Sequence, residues 1–100
     1  MTISEVSIIP VKPSNGLVAF ASIVVDGNLY LNSIAIYVRM DGSLRLLYPT
    51  KKTGERSMNI FHPINRASSK QIEDTIFERY NELLNQSGNQ YETVYIPSGI

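Results

Sequence analysis

The stretch Leu17–Val38, LVAFASIVVDGNLYLNSIAIYV, decides how this chain folds. Asp26-Gly27 lies between two runs rich in β-branched and aromatic residues, and this dipeptide suits a tight type I′ hairpin because both of its positions tolerate positive φ. The reading is a pair of antiparallel strands, Leu17 to Val25 and Asn28 to Val38. In the first strand Leu17, Ala19, Ala21, Ile23 and Val25 face one way, and Val18, Phe20 and Val24 face the other. In the second, Leu29, Leu31, Ala35 and Tyr37 oppose Tyr30, Ile34, Ile36 and Val38. Both faces of the hairpin are therefore apolar. One helix covers one face of a sheet, and the other face, left wet, is a larger apolar patch than a quiet monomer exposes. A second copy of the same chain is the expected cover; the alternative is that the tail or the first strand folds over it.

Outward from this hairpin, Ile3 to Val11 alternates weakly until Pro10 and Pro13 interrupt it, which suits an edge strand because proline cannot donate to ladders on both sides. Ser14-Asn15-Gly16 is turn chemistry, and Met40-Asp41-Gly42-Ser43 signals a second hairpin leading to a short strand from Leu44 to Tyr48. Lys51 to Glu55, centred on Gly54, reads as an exposed loop, and Ser57 to Phe61 as a fifth short strand. Ser68 with Gln71 three residues on reads as a capping box that opens a helix. Ile72, Ile76, Phe77, Tyr80, Leu83 and Leu84 then recur at three- and four-residue spacing, opposite Glu73, Asp74, Glu78, Arg79 and Glu82. This helix is expected to stop before Gly88. The remainder, 87–100, reads as a tail with a candidate strand from Glu92 to Ile96 ended by Pro97. The expected fold class is α+β: a small antiparallel sheet of roughly five strands and one C-terminal amphipathic helix, in a single domain over residues 1–86.

Composition narrows the function. With 100 residues, 43% of them hydrophobic, the chain suits one domain with one core. The absence of cysteine removes disulfides, thiolate zinc sites and a cysteine nucleophile. No apolar run approaches the ~18 residues of a membrane span, and MTISEV lacks the basic and apolar regions of a signal peptide, so a cytoplasmic location is expected. There is no Gly-rich phosphate loop, nucleophile motif or metal-ligand spacing, so neither an enzyme nor a cofactor or metal site is expected.

Net charge is zero, yet its distribution is not even. The segment from Arg39 to Lys70 carries +5, the residues before it −1, and those after it −4. Such segregation draws a polyanion to one side of a chain that is neutral overall. Lys51, Lys52 and Arg56 form a cationic loop suited to phosphate contacts, and a solvated loop whose lysines only suppress aggregation is the plainer alternative. Arg66 and Lys70 flank the helix start, where free amides and the helix dipole already favour an anion; surface solvation, with pairing to Glu73 or Asp74, is the alternative there. His62, the sole histidine, lacks partners for a metal or general-base site and reads as structural. Pro63 forces His62 toward extended geometry, and Asn65 caps or turns the same junction. Tyr30, Tyr37 and Tyr48 can stack on unpaired bases, although aromatics on strands more often serve a core or an interface.

The segment PTKKTGERSMNIFHPIN, Pro49 to Asn65, resembles the SpoVG family (stage V sporulation protein G, or septation protein). The shared pattern is Pro49, Thr50, Lys51, Lys52 and Thr53, then Gly54, then a strand ending in His62, Pro63, Ile64 and Asn65. An N-terminal strand, the Ala-rich AFASIVVD, Ile72 and Asp74, and Glu78 and Tyr80 extend the resemblance over roughly Ile3 to Leu84. Where family members often carry an arginine and a lysine at the helix start, this chain has Ser69 and Gln71, with Arg66 and Lys70 at shifted positions. The resemblance implies a small antiparallel sheet with a C-terminal helix, a homodimer, and DNA or RNA binding in bacterial gene regulation. The rival expectation is a protein-interaction module whose acidic helix face, Glu73, Asp74, Glu78 and Glu82, docks a basic partner.

Overall fold

Four strands run in chain order across one antiparallel sheet: β1 (Ile3–Ser14), β2 (Leu17–Val25), β3 (Leu29–Val38) and β4 (Leu44–Leu47). A separate two-stranded sheet, β5 (Thr50–Thr53) with β6 (Arg56–Asn59), follows, and then the helix α1 (Arg66–Tyr91). The computed structural model describes residues 1–91. The expected α+β class is the observed one.

Turn chemistry sets the meander. Asp26 and Gly27 have φ of 54° and 66°, the two positive values of a type I′ turn, closed by Asn28 N–H donating to the Val25 carbonyl at 2.9 Å. Asn15 and Gly16 repeat the arrangement between β1 and β2, with φ of 51° and 92°. A Cβ on Gly16 would lie 3.1 Å from the Val38 carbonyl oxygen, so close approach as well as φ demands glycine there. The third hairpin uses a three-residue loop whose last member, Gly42, has φ 91°, and the Asp41 carboxylate accepts both Ser43 N–H (2.9 Å) and Ser43 Oγ–H (2.7 Å).

Strict alternation fails at bulges, which changes the face assignments. In β1 the register slips between Ser4 and Ser7, around Glu5 with φ 49°, so Ile3, Val6 and Ile8 all pack toward the core. In β3 the extra residue falls beside Ser33, φ 63°, and Leu31 therefore joins Ile34 and Ile36 on the core side rather than opposing them. A further slip between Leu17 and Ala19 turns Val18 inward. The inner face then carries Ala19, Ala21, Ile23, Val25, Ile34, Ile36 and Leu46, and α1 closes it with Ile72, Ile76 and Tyr80, one helical turn apart.

On the opposite side the register aligns Ile9, Phe20, Ala35 and Leu47 in one row across all four strands. Ile9 is 64% exposed, Phe20 36% and Leu47 44%. Val24 and Tyr30 pair in a neighbouring row. Among the described residues no element covers this face.

The helix start corrects one expectation. Asn65, not Ser68, is the N-cap: its Oδ1 accepts the Ser68 N–H at 2.8 Å, and its carbonyl accepts Ser69 N–H at 3.1 Å. Asn65 immediately precedes the first helical residue, so its side chain reaches the third amide of the turn, whereas Ser68 already lies inside it. Gln71 is not half of a capping box; its Nε2 donates to the Met1 carbonyl and ties the helix to the start of β1. The helix also runs through Gly88 to Tyr91, since a single interior glycine costs only about 1 kcal/mol. The expected tail strand, Glu92 to Ile96, lies outside the described residues.

Candidate nucleic-acid interface

The segment around Lys51 and Lys52 is a hairpin, not a loop. β5 and β6 pair Thr50 with Asn59, Lys51 with Met58, Lys52 with Ser57 and Thr53 with Arg56. Gly54 (φ 64°) at the first central position of the two-residue turn is where a type II′ turn places glycine. The ladder leaves no room for the expected strand Ser57 to Phe61, which is shifted to Arg56–Asn59. Ile60 N–H donates to the Pro49 carbonyl at 2.8 Å and closes the base. Beneath it Tyr48 and Phe61 meet edge to face, ring centroids 6.0 Å apart at 73°, and both pack against the core. Beyond that anchor every residue from 50 to 60 is exposed, so the ribbon stands clear of the body.

Side chains directly opposite in an antiparallel pair share a face, and neighbours along a strand do not. Lys51 and Arg56 therefore lie on one face with Thr53 and Met58, and Lys52 lies on the other with Thr50, Ser57 and Asn59. The paired lysines, adjacent in sequence, point apart. The common face of Thr50, Ser57 and Asn59 follows only from the pairing of β5 with β6 across the two-residue turn at Gly54.

Six residues, Ile60 to Asn65, separate this ribbon from the helix. Within them His62 is exposed, and its Nδ1 donates to the Pro63 carbonyl at 2.9 Å, a bond local to the junction. Arg66 and Lys70, four apart, share one helix face. Lys70 forms an exposed ion pair with Asp74 at 3.1 Å, whereas among the described residues no ion pair engages Lys51, Lys52, Arg56 or Arg66. The acidic helix residues do not form one open patch. Asp74 is paired with Lys70, Glu82 with Arg79 at 3.3 Å, and Glu73 is half-buried. Of the tyrosines considered for stacking, Tyr48 belongs to the ribbon's base and Tyr30 to the outer sheet face. Among the described residues no group of three or more His, Cys, Asp or Glu side chains is placed to hold a metal ion, and no helix is long and apolar enough to cross a membrane.

A family model described as SpoVG matches residues 1–82. Among curated relatives, one from Finegoldia magna, named as a candidate septation protein SpoVG, is 32% identical over 83 residues, 82% of this chain and 76% of its own length. One of the same name from Bdellovibrio bacteriovorus is 28% identical over 88% of this chain and 81% of its own length. Another, from Clostridium acetobutylicum, is 27% identical over 93% and 98%. The match takes in every element from β1 through most of α1, including the ribbon.

Proposed function

The chain belongs to the SpoVG family, and we propose that it is a homodimeric, nucleic-acid-binding regulator whose contacts come from the basic ribbon and the helix start. The observation that carries this reading is the projection of Lys51, Lys52 and Arg56 on an exposed hairpin, without an ion pair among the described residues, from a chain of zero net charge. Cations held clear of the body reach a polyanion without desolvating the protein's own surface. Arg66 and Lys70 add two more at the helix start. The Lys70–Asp74 pair is exposed on both sides, and such pairs contribute at most about 1 kcal/mol, so a phosphate can compete for the lysine. The uncovered outer sheet face is the surface we assign to the second copy, which brings a second ribbon into the same particle. The septation for which the relatives are named is the process in which we place the regulation.

Labelled duplex and single strands, titrated at two salt concentrations, test the reading. Binding that weakens steeply with salt is expected, because phosphate contacts release counterions. No binding at low salt, or binding indifferent to salt, would overturn it.

A further inference from the structure

Between residues 58 and 64 three large apolar side chains stand in water: Met58 is 59% exposed, Ile60 63% and Ile64 87%. None belongs to the core, although Phe61 among them packs against it. Ile64 precedes the Asn65 cap, a position whose apolar side chain ordinarily packs on the fourth helical residue; here that residue is Ser69, which offers it no apolar partner. Met58 and Ile60 share a face of the ribbon. Ile60 N–H donates to the Pro49 carbonyl, the one bond this pair can make because proline has no N–H, so Pro49 and Ile60 extend the ladder by a step. Alternation then sets Pro49, Lys51, Arg56, Met58 and Ile60 on one side, and Tyr48 and Phe61 on the other, where those two rings pack against the core. The Met58/Ile60 side is thus turned away from the body. It is an apolar strip at the base of the ribbon, with Lys51 opposite Met58 and Arg56 nearer the turn. Phosphate contacts would engage the two cations and leave that strip in water.

We infer that this face of the ribbon docks on the surface of an anionic lipid bilayer, with Met58 and Ile60 entering the interfacial region and Lys51 and Arg56 at the headgroups. Apolar side chains beside cations on a projecting element make an interfacial anchor, since burial of the first and attraction of the second act at the same depth. Charge favours the same occupant, because the segment from Arg39 to Lys70 carries +5 and the ribbon's only acid, Glu55, lies in its turn. Area argues against a protein partner. Four residues per strand at ~3.3 Å each give a face roughly 13 Å by 10 Å, far below the ~800 Å² that each partner contributes to a stable protein interface. A bilayer has no such minimum, for it yields to whatever enters it. The inference is separate from the nucleic-acid reading, but both use Lys51 and Arg56, so a bilayer and a duplex exclude each other at this face.

Co-sedimentation of the full chain with unilamellar vesicles tests the assignment, using phosphatidylglycerol mixed with phosphatidylcholine, and phosphatidylcholine alone. The unaltered chain should bind the mixed vesicles and not the neutral ones. Met58→Ser/Ile60→Ser should bind the mixed vesicles about 10- to 100-fold more weakly. Lys51→Ala/Arg56→Ala should lose about 10- to 30-fold, at roughly fivefold per cation. All four positions are exposed, so circular dichroism and melting should match the unaltered chain. A single replacement gives an independent readout: the chain has no tryptophan, so the emission of Met58→Trp reports this site alone and should shift to shorter wavelength with mixed vesicles only. Emission unmoved by vesicles, serine-variant binding as tight as that of the unaltered chain, or equal binding to both kinds of vesicle overturns the bilayer reading. A monomeric Met58→Ser/Ile60→Ser where the unaltered chain is a dimer gives the strip to the second copy and overturns it as well. Duplex titration separates this inference from the nucleic-acid function. Binding to DNA but not to vesicles removes the bilayer alone, and binding to vesicles but not to DNA removes the nucleic-acid function alone.

Discussion

Tyr48 sits where the ribbon joins the body, and its hydroxyl is buried without a hydrogen bond. Burial first, and the nearby Glu73 carboxylate second, push its pKa from 10.0 up to about 12. The folded chain thus keeps a proton that the unfolded chain releases near pH 10, so the associated stability is whole below about pH 10 and declines between 10 and 12. Tyr48→Phe removes this decline, and at neutral pH it should leave stability unchanged or raise it by about 1 kcal/mol, because a desolvated hydroxyl without a partner is removed. Thermal melts of both proteins at pH 8 and pH 11 check this; a large loss at neutral pH in the phenylalanine variant would show that the hydroxyl is bonded. Asn65 makes the complementary case. Asn65→Ala should cost about 1 kcal/mol and Asn65→Asp much less, since only the second keeps an acceptor for Ser68 N–H. Equal melting of the alanine and aspartate variants would remove the capping role. Asn65 and Ser68 are both cap-forming residue types, and the sequence does not separate them; the choice depends on where Pro63 releases the chain into the helix.

At the scale of elements, what the sequence shows depends on whether the signal is local. Asp26-Gly27 and the Ile72, Ile76, Tyr80 spacing specify β2, β3 and α1 without help from the rest of the chain. The bulges at Glu5, Val18 and Ser33 are not legible, because one extra residue reverses every later face assignment and leaves no mark in composition. The β5 half of the ribbon is hidden for a different reason: Thr50–Thr53 is exposed and carries no apolar alternation, so its charge reads as loop, whereas the β6 half is legible as a strand but with its bounds displaced. The cations of the candidate site were visible as charge, but their division between two faces required the pairing. The outer sheet face yields the prediction at this scale. Its row of Ile9, Phe20, Ala35 and Leu47 supplies the contact assigned to a second copy, so Leu47→Lys should convert a dimer to a monomer while the fold persists. Light scattering after gel filtration should give twice 11.2 kDa for the unaltered chain and 11.2 kDa for the variant. A monomer in both cases, or a dimer in both, would remove this face from the assembly.

For the whole molecule, charge and shape act together. The positive segment from Arg39 to Lys70 includes the projecting β5–β6 ribbon, whereas four of the seven acids outside that segment lie on α1, two of them already in ion pairs. Neutrality overall keeps non-specific attraction low, and projection delivers the cations where a polyanion can meet them. Five candidate cations per chain, not all engaged at once, suggest roughly four to eight phosphate contacts in a dimer, and a slope of log K against log salt of about −4 to −7. The most direct measurement is that slope on duplex DNA for the unaltered chain and for Lys51→Ala/Arg56→Ala, the two cations that share one face of the ribbon. The ribbon contributes little to the core, so the variant should melt at the same temperature. Its slope should be shallower by about 3 to 4 units and its low-salt affinity correspondingly weaker. An equally folded variant with unchanged affinity and unchanged slope would contradict nucleic-acid binding through the ribbon and leave Lys51 and Arg56 free of phosphate.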